Sequence, residues 1–174
     1  MEAILIGFMG SGKTTVGRLL ADQLTTQHAD LDDMIVERAG QAITAIFEQH
    51  GEGYFRQLEQ QTLRGALAQP GVLSTGGGTP TIPANAAILT ASPVPVICLA
   101  ADDTTILDRV AHDTSRPLVN DLDTAALLAL KHQRAPLYEA AADLVIQTDQ
   151  LAPTEIVATI QDWLSQPARR SAQA

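Results

Sequence analysis

An α/β fold, with helices on both faces of a parallel sheet, follows from two features of the chain. Short apolar runs alternate with longer segments of helical period, and the runs lack the strict apolar–polar alternation of a strand wetted on one face. The chain has 174 residues, 45% of them hydrophobic and 18% charged, which is enough to bury one core without disulfides or metal staples. A single domain over 1–174 is expected.

Taken in order, Ala3-Ile4-Leu5-Ile6 reads as a strand buried on both faces, and Thr14 to Leu24 as the helix that follows it. Met34 to His50 and Tyr54 to Leu67 are the next helical segments. Gly71-Val72-Leu73 and Val94 to Leu99 are two further buried strands, the second carrying Cys98 as a small apolar group. Helices are expected over Thr104 to Val110 and Ala125 to Ala135, and Leu144-Val145-Ile146 is read as another strand covered on both faces. In the last helix, Thr154 to Leu164, the apolar positions Ile156, Val157, Ile160, Trp163 and Leu164 form one stripe, so Trp163 is assigned to packing. The polar stretch 112–123 reads as either a lid or a surface loop, and both it and the tail 167–174 are expected to be poorly ordered.

Charge narrows the function. Eleven basic against twenty acidic residues give a net charge of −9, so no general basic field exists for nucleic acid or an anionic membrane. An anionic ligand would need positive charge placed locally. One cysteine excludes an internal disulfide. No apolar run approaches a membrane span and no leader-like segment opens the chain, so a cytoplasmic protein is expected. His28, His50, His112 and His132 lack metal-ligand spacing.

Directly after the first strand, Gly7-Phe8-Met9-Gly10-Ser11-Gly12-Lys13-Thr14 fits G-x-x-x-x-G-K-[ST] and then opens a helix. Glycines let backbone N–H groups wrap a phosphate, the helix N-terminus adds partial positive charge, Lys13 reaches the outer phosphates, and the Thr14 hydroxyl can ligate Mg²⁺. Gly10, Ser11, Gly12, Lys13, Thr14 and Thr15 are therefore the candidate residues for a nucleoside triphosphate. The acceptor has to come from elsewhere.

Asp30-Leu31-Asp32 is the first candidate. In an extended segment both carboxylates would point the same way, one holding Mg²⁺ through water and the other accepting a proton. The alternative is an N-cap, Asp32 or Asp33, for the helix starting at Met34. In Phe55-Arg56-Gln57-Leu58-Glu59, Arg56 and Glu59 share a helical face, where the carboxylate can hold the guanidinium in position or form an ordinary surface pair. Thr75-Gly76-Gly77-Gly78 follows a strand and either exposes backbone N–H groups to a ligand or makes a flexible turn.

Taken together, the P-loop, Asp30-Leu31-Asp32, Phe55-Arg56-x-x-Glu59, Thr75-Gly76-Gly77-Gly78, Ser115-Arg116-Pro117-Leu118 and Arg134-x-Pro136-Leu137-Tyr138 resemble the shikimate kinase family over about residues 3–164. The resemblance implies a three-layer P-loop kinase fold with a five-stranded parallel sheet, a substrate-binding segment at about 31–60 and a lid at about 111–123. It implies transfer of a phosphoryl group from Mg-ATP to the 3-hydroxyl of shikimate by a monomer, with ATP and shikimate as small-molecule substrates and neither nucleic acid nor membrane as a partner. Asp32 matches the carboxylate that binds the ring hydroxyls and serves as base, Asp30 the one near Mg²⁺, and Thr14 the direct ligand. Arg56 and Arg134 match the pair that grips the shikimate carboxylate, with Gly76, Gly77 and Gly78 giving backbone contacts and Phe47 and Phe55 apolar walls. Arg116 matches the lid arginine that closes on the phosphates, and Arg109 is placed to lie against adenine. Five of eleven basic residues, Lys13, Arg56, Arg109, Arg116 and Arg134, fall at these positions in an acidic chain.

Two departures from the family pattern are visible. Leu31 stands where a small polar residue is common, and Thr148 to Pro153, a segment that contacts adenine in many relatives, carries no basic residue. Rival readings are a kinase of the same fold acting on gluconate or a nucleotide, and a nucleotide-binding switch without transfer. The first is disfavoured by the triple glycine with Phe55-Arg56-x-x-Glu59, the second by retention of an acceptor site.

Overall fold

The computed structural model describes residues 1–111 and 124–166. Arg116, the expected lid from residue 112 onward and the tail 167–174 lie outside the described residues. Five parallel strands, β1 (Ala3–Ile6), β2 (His28–Asp30), β3 (Val72–Ser74), β4 (Val96–Ala100) and β5 (Leu144–Gln147), form one sheet in the order β2-β3-β1-β4-β5. Among the described residues the helices are α1 (Lys13–Gln23), α2 (Leu31–Ala39), α3 (Ile43–Leu67), α4 (Pro83–Thr90), α5 (Asp103–Ala111), α6 (Thr124–Ala141) and α7 (Pro153–Ser165), with a 3₁₀ turn at Thr79–Thr81.

Strand alternation builds two cores. Ala3, Leu5, Val72, Ile97, Leu99 and Ile146 face α1 and α7, which bring Val16, Leu20, Ile156 and Ile160. Ile4, Ile6, Leu73, Val96 and Cys98 face the opposite layer, where Ile35, Ile46, Phe55, Leu63, Leu89, Ile106 and Leu127 close over them. All four residues of β1 are fully buried, as a central strand covered on both faces requires. The chain leaves β1 for α1 on one face and β3 for α4 on the other. A crevice therefore opens at the carboxyl ends of these paired strands.

Several sequence-based boundaries shift for physical reasons. Met34 to His50 is not one helix: Gly40, with φ of 67°, ends α2 in the left-handed conformation that favours glycine. Tyr54 to Leu67 instead joins the preceding segment as α3, kinked at Gly51, where φ is 76°. Asp30-Leu31-Asp32 is not extended throughout. The Asp30 carboxylate accepts the Asp32 N–H, making Asp30, and neither Asp32 nor Asp33, the N-cap of α2. Leu31, the departure from the family pattern, is fully buried as the first residue of that helix.

β5 is an edge strand with Val145 exposed, so it is not covered on both faces as its composition suggests. α6 runs through Pro136 to Ala141, because Tyr138 and Ala141 on its far side are buried and hold the extra turn in place. In α7, Ile156, Val157 and Ile160 are buried while Trp163 and Leu164 are only half-buried. Cys98 is buried, and burial pushes its thiol up to about 11. No helix among the described residues is long and apolar enough to cross a membrane.

Candidate active site

The loop between β1 and α1 begins at Gly7, where φ is 139° and a Cβ would lie 2.3 Å from the Leu99 carbonyl oxygen. Only glycine fits there. Gly12, with φ of 95°, stands at the N-cap of α1. It offers no side chain to the helix N–H groups, and no acidic residue occupies the first turn. The orphan donors and the positive end of the helix are thus left for an anion. The Ser11 hydroxyl, buried in this loop with no hydrogen-bond partner, adds a further unsatisfied group to the cradle. Lys13 is largely buried and donates to the carbonyls of Gly7 at 2.9 Å and Phe8 at 2.8 Å, which aims its ammonium back over the loop.

A cavity of about 370 Å³ opens over this loop, lined by Gly10, Ser11, Gly12, Lys13, Thr14, Thr15, Asp30, Asp32, Thr75, Gly77 and Arg109. Leu151, Pro153 and Ile156 supply apolar lining. Arg109 donates to the Gly10 carbonyl at 3.2 Å and to the Thr148 hydroxyl and carbonyl at 3.1 and 3.3 Å. Its guanidinium plane is thereby fixed between the phosphate loop and the residue after β5. Thr14 Oγ1 lies 3.4 Å from Asp30 Oδ2, while Asp30 Oδ1 is occupied by the Asp32 N–H at 3.0 Å. The outward carboxylate oxygen and the hydroxyl form a pair of hard oxygen donors beside the cavity, the type that Mg²⁺ prefers. Among the described residues no group of three or more His, Cys, Asp or Glu could hold a metal by itself.

The glycine turn after β3 gathers a second set of polar side chains. A Cβ on Gly76 would lie 2.7 Å from Asp32 Oδ1, and one on Gly78 would lie 3.3 Å from both Arg56 Nη atoms. The missing side chains are what let the carboxylate and the guanidinium settle on the turn. Gly77 accepts a hydrogen bond from the Tyr138 hydroxyl at 2.6 Å, and Tyr138 in turn hydrogen-bonds Arg134. Arg56 beside Gly78 and Arg134 beside Tyr138, 78 residues apart in sequence, thus stand near neighbouring glycines of one turn. Burial, opposed in part by Arg134, pushes the Tyr138 hydroxyl up to about 12, so it stays a donor at neutral pH.

Arg56 is fixed from beneath. Its Nη1 donates to Glu59 Oε2 at 3.0 Å, and Glu59, 1% exposed, also accepts from the Thr79 hydroxyl at 2.8 Å and the Asn85 amide at 3.0 Å. A buried carboxylate with three donors is held in one orientation, and it holds the arginine with it. The exposed Glu52 contact at 3.3 Å adds little. Arg56 also lies 5.1 Å from the centroid of the Phe55 ring, which packs against Phe47 at 4.6 Å. Phe55 is buried and Phe47 partly exposed, so the two present one apolar surface beside the guanidinium.

The structure thus brings together Lys13, Thr14, Thr15, Asp30, Asp32 and Arg109 around the cavity. It places Arg56 and Arg134 by the adjoining turn of Gly76, Gly77 and Gly78, with Phe55 beside Arg56 and Phe47 packed on Phe55. Arg116 lies outside the described residues. Sequence reasoning missed the supporting groups: Tyr138 under Arg134, Thr79 and Asn85 under Glu59, and Thr148 under Arg109. Leu151 and Pro153, in the segment the family pattern sets near adenine, line the cavity as apolar residues.

A model of the family described as shikimate kinase matches residues 9–165. A shikimate kinase of Limosilactobacillus fermentum is 42% identical over 165 residues, covering 94% of this chain and 95% of that protein. A shikimate kinase from Acinetobacter baumannii, solved in complex with shikimate, superposes with a TM-score of 0.84 at 34% identity, over 94% of this chain and 92% of that one. The enzyme from Aquifex aeolicus superposes with a TM-score of 0.76 at 32% identity, over 94% of this chain and 96% of that one. Agreement in sequence and fold along nearly the whole length places this chain in the shikimate kinase family.

Proposed function

We propose that the chain transfers the γ-phosphoryl group of ATP to the 3-hydroxyl of shikimate, yielding shikimate 3-phosphate and ADP for aromatic biosynthesis. The observation that carries this reading is the position of Asp32. Its carboxylate lines the phosphate-side cavity together with Lys13 and Thr14, and it also rests on Gly76 of the turn that gathers Arg56 and Arg134. A base that borders both sites is where the attacking hydroxyl has to sit.

In this reading the α1 N-terminus, the loop N–H groups and Lys13 bind the outer phosphates. Thr14 would ligate Mg²⁺ directly and Asp30 would hold it at longer range, and the bound ion would neutralise charge on the transferring group. Arg109 lies against the adenine, with the apolar Leu151 and Pro153 lining the same cavity. Arg56 and Arg134 take the shikimate carboxylate, for which a planar guanidinium is better matched than an ammonium. Asp32 orients the 3-hydroxyl and removes its proton as the oxygen attacks. Arg116 is assigned from sequence alone to stabilise the phosphates, and the segment around it to exclude water. A cytoplasmic monomer is part of the same proposal, checked by sedimentation.

Replacing Asp32 with Asn keeps the shape and removes the base. Turnover should fall by orders of magnitude while ATP still binds, as measured by calorimetry beside an ADP-release assay. Near-normal turnover would take Asp32 out of the base role.

A further inference from the structure

His28, Ser74 and Lys13 stand on β2, β3 and α1 and meet at one point beneath the phosphate loop. The Ser74 hydroxyl lies 3.1 Å from the Lys13 carbonyl oxygen and 2.9 Å from His28 Nε2. A carbonyl can only accept, so the single hydroxyl proton of Ser74 goes to Lys13. With Ser74 donating to Lys13, the remaining contact is assigned as donated by His28 Nε2–H, the tautomer that completes this arrangement. The result is a one-way chain from His28 to Ser74 to the Lys13 backbone.

Packing holds this chain tightly. A Cβ on Gly17 would lie 2.6 Å from His28 Cδ2 and 2.9 Å from Ser74 Oγ, so the α1 backbone is pressed against the pair. Ser74 is fully buried and sits just before the Thr75 to Gly78 turn. One peptide group at the start of α1 is thereby tied to two neighbouring strands. It is the carbonyl of the residue whose side chain and helix N-terminus face the phosphates.

We propose that His28 is a positioning residue for the nucleotide site, acting through Ser74 on the Lys13 backbone; the proposal rests on the reading of that site as the ATP site. Without the histidine donor, the Ser74 hydroxyl keeps its contact to the Lys13 carbonyl but loses the N–H that orients it, so the external anchor on the peptide that begins α1 is weakened. The ligand whose binding should respond is the nucleotide.

The test uses the full-length protein with Mg-ADP as the probe, measured by calorimetry, alongside thermal melts. His28→Leu and Ser74→Ala should each weaken Mg-ADP binding about fivefold, the effect of one hydrogen bond. The double variant should be no weaker than either single one, since both break the same chain. His28→Gln, which keeps an N–H donor near the position of Nε2, should bind within about twofold of wild type. Wild-type affinity in His28→Leu would overturn the proposal. So would losses that multiply in the double variant, or a His28→Gln protein as weak as His28→Leu, which would point to ring packing instead. A wild-type protein that does not bind Mg-ADP would overturn the ATP-site reading itself, and this proposal with it.

Discussion

Replacing Gly76 with Ala puts a methyl group 2.7 Å from Asp32 Oδ1 and 3.4 Å from Cγ and Oδ2. Ordinary contact begins near 3.4 Å, so the carboxylate oxygen has to retreat by the difference, 3.4 − 2.7 = 0.7 Å. Gly76 is not among the positive-φ residues, so alanine strains no backbone there and the effect falls on Asp32. A misplacement of about 1 Å at a reacting group can cost about 100-fold in rate. A fall in kcat of about 10- to 100-fold is therefore expected, with the ATP affinity unchanged, because the phosphate loop is untouched. Steady-state ADP release at saturating ATP and shikimate measures it, with calorimetry for the nucleotide and a thermal melt for the fold. A folded Gly76→Ala protein with kcat within threefold of wild type would refute the reasoning, since it would mean that the position of Asp32 does not govern the chemistry.

Gly65 provides the matching control: a Cβ there meets nothing within 4 Å and the residue lies in α3, so Gly65→Ala should raise stability by about 0.5–1 kcal/mol in urea melts and leave turnover unchanged. Arg56→Lys loses the planar fork that bonds Glu59 and lies over Gly78, so the KM for shikimate should rise at least tenfold while that for ATP moves less than twofold; equal shifts in both would contradict the assignment. Alkaline pH should expose the buried hydroxyl and thiol. Burial raises Tyr138 from 10 to about 12 and Cys98 from 9 to about 11, so the unfolded chain releases these protons first. Their contribution is whole below pH 9 and is lost as pH climbs through 11 and 12, on the order of 3 kcal/mol for each group. Tyr138→Phe should flatten the decline between pH 10 and 12 in urea melts, and a profile parallel to wild type would count against the burial argument.

Contiguous chemistry was the most readable part of this chain. The phosphate loop needs glycines, a lysine and a hydroxyl within eight residues after a strand, and all of them are visible side by side at Gly7 to Thr14. β2 was harder to see, because His28-Ala29-Asp30 is a half-buried edge segment with no apolar run. α4 escaped notice because Pro83 to Thr90 is short and apolar on nearly every side, with no amphipathic stripe. The long-range supports could not be read at all. Glu59 meets Asn85 across 26 residues and Tyr138 meets Gly77 across 61, and only the folded sheet brings those pairs together. Asp30 shows how one residue can defeat periodicity: as an N-cap it turns its neighbour Asp32 into the first turn of a helix. That places the base against Gly76 by a route different from the extended geometry first expected.

In the proposed function, the glycine turn with Arg56 and Arg134 selects shikimate as the phosphoryl acceptor. Its most direct test is ADP release from Mg-ATP with shikimate, gluconate, a nucleoside monophosphate or no acceptor, for wild type and for Arg134→Ala. Turnover is expected with shikimate alone, and is expected to be lost in Arg134→Ala while ATP still binds. Equal turnover with gluconate or a nucleotide, or ATP binding with no turnover on any acceptor, would contradict it.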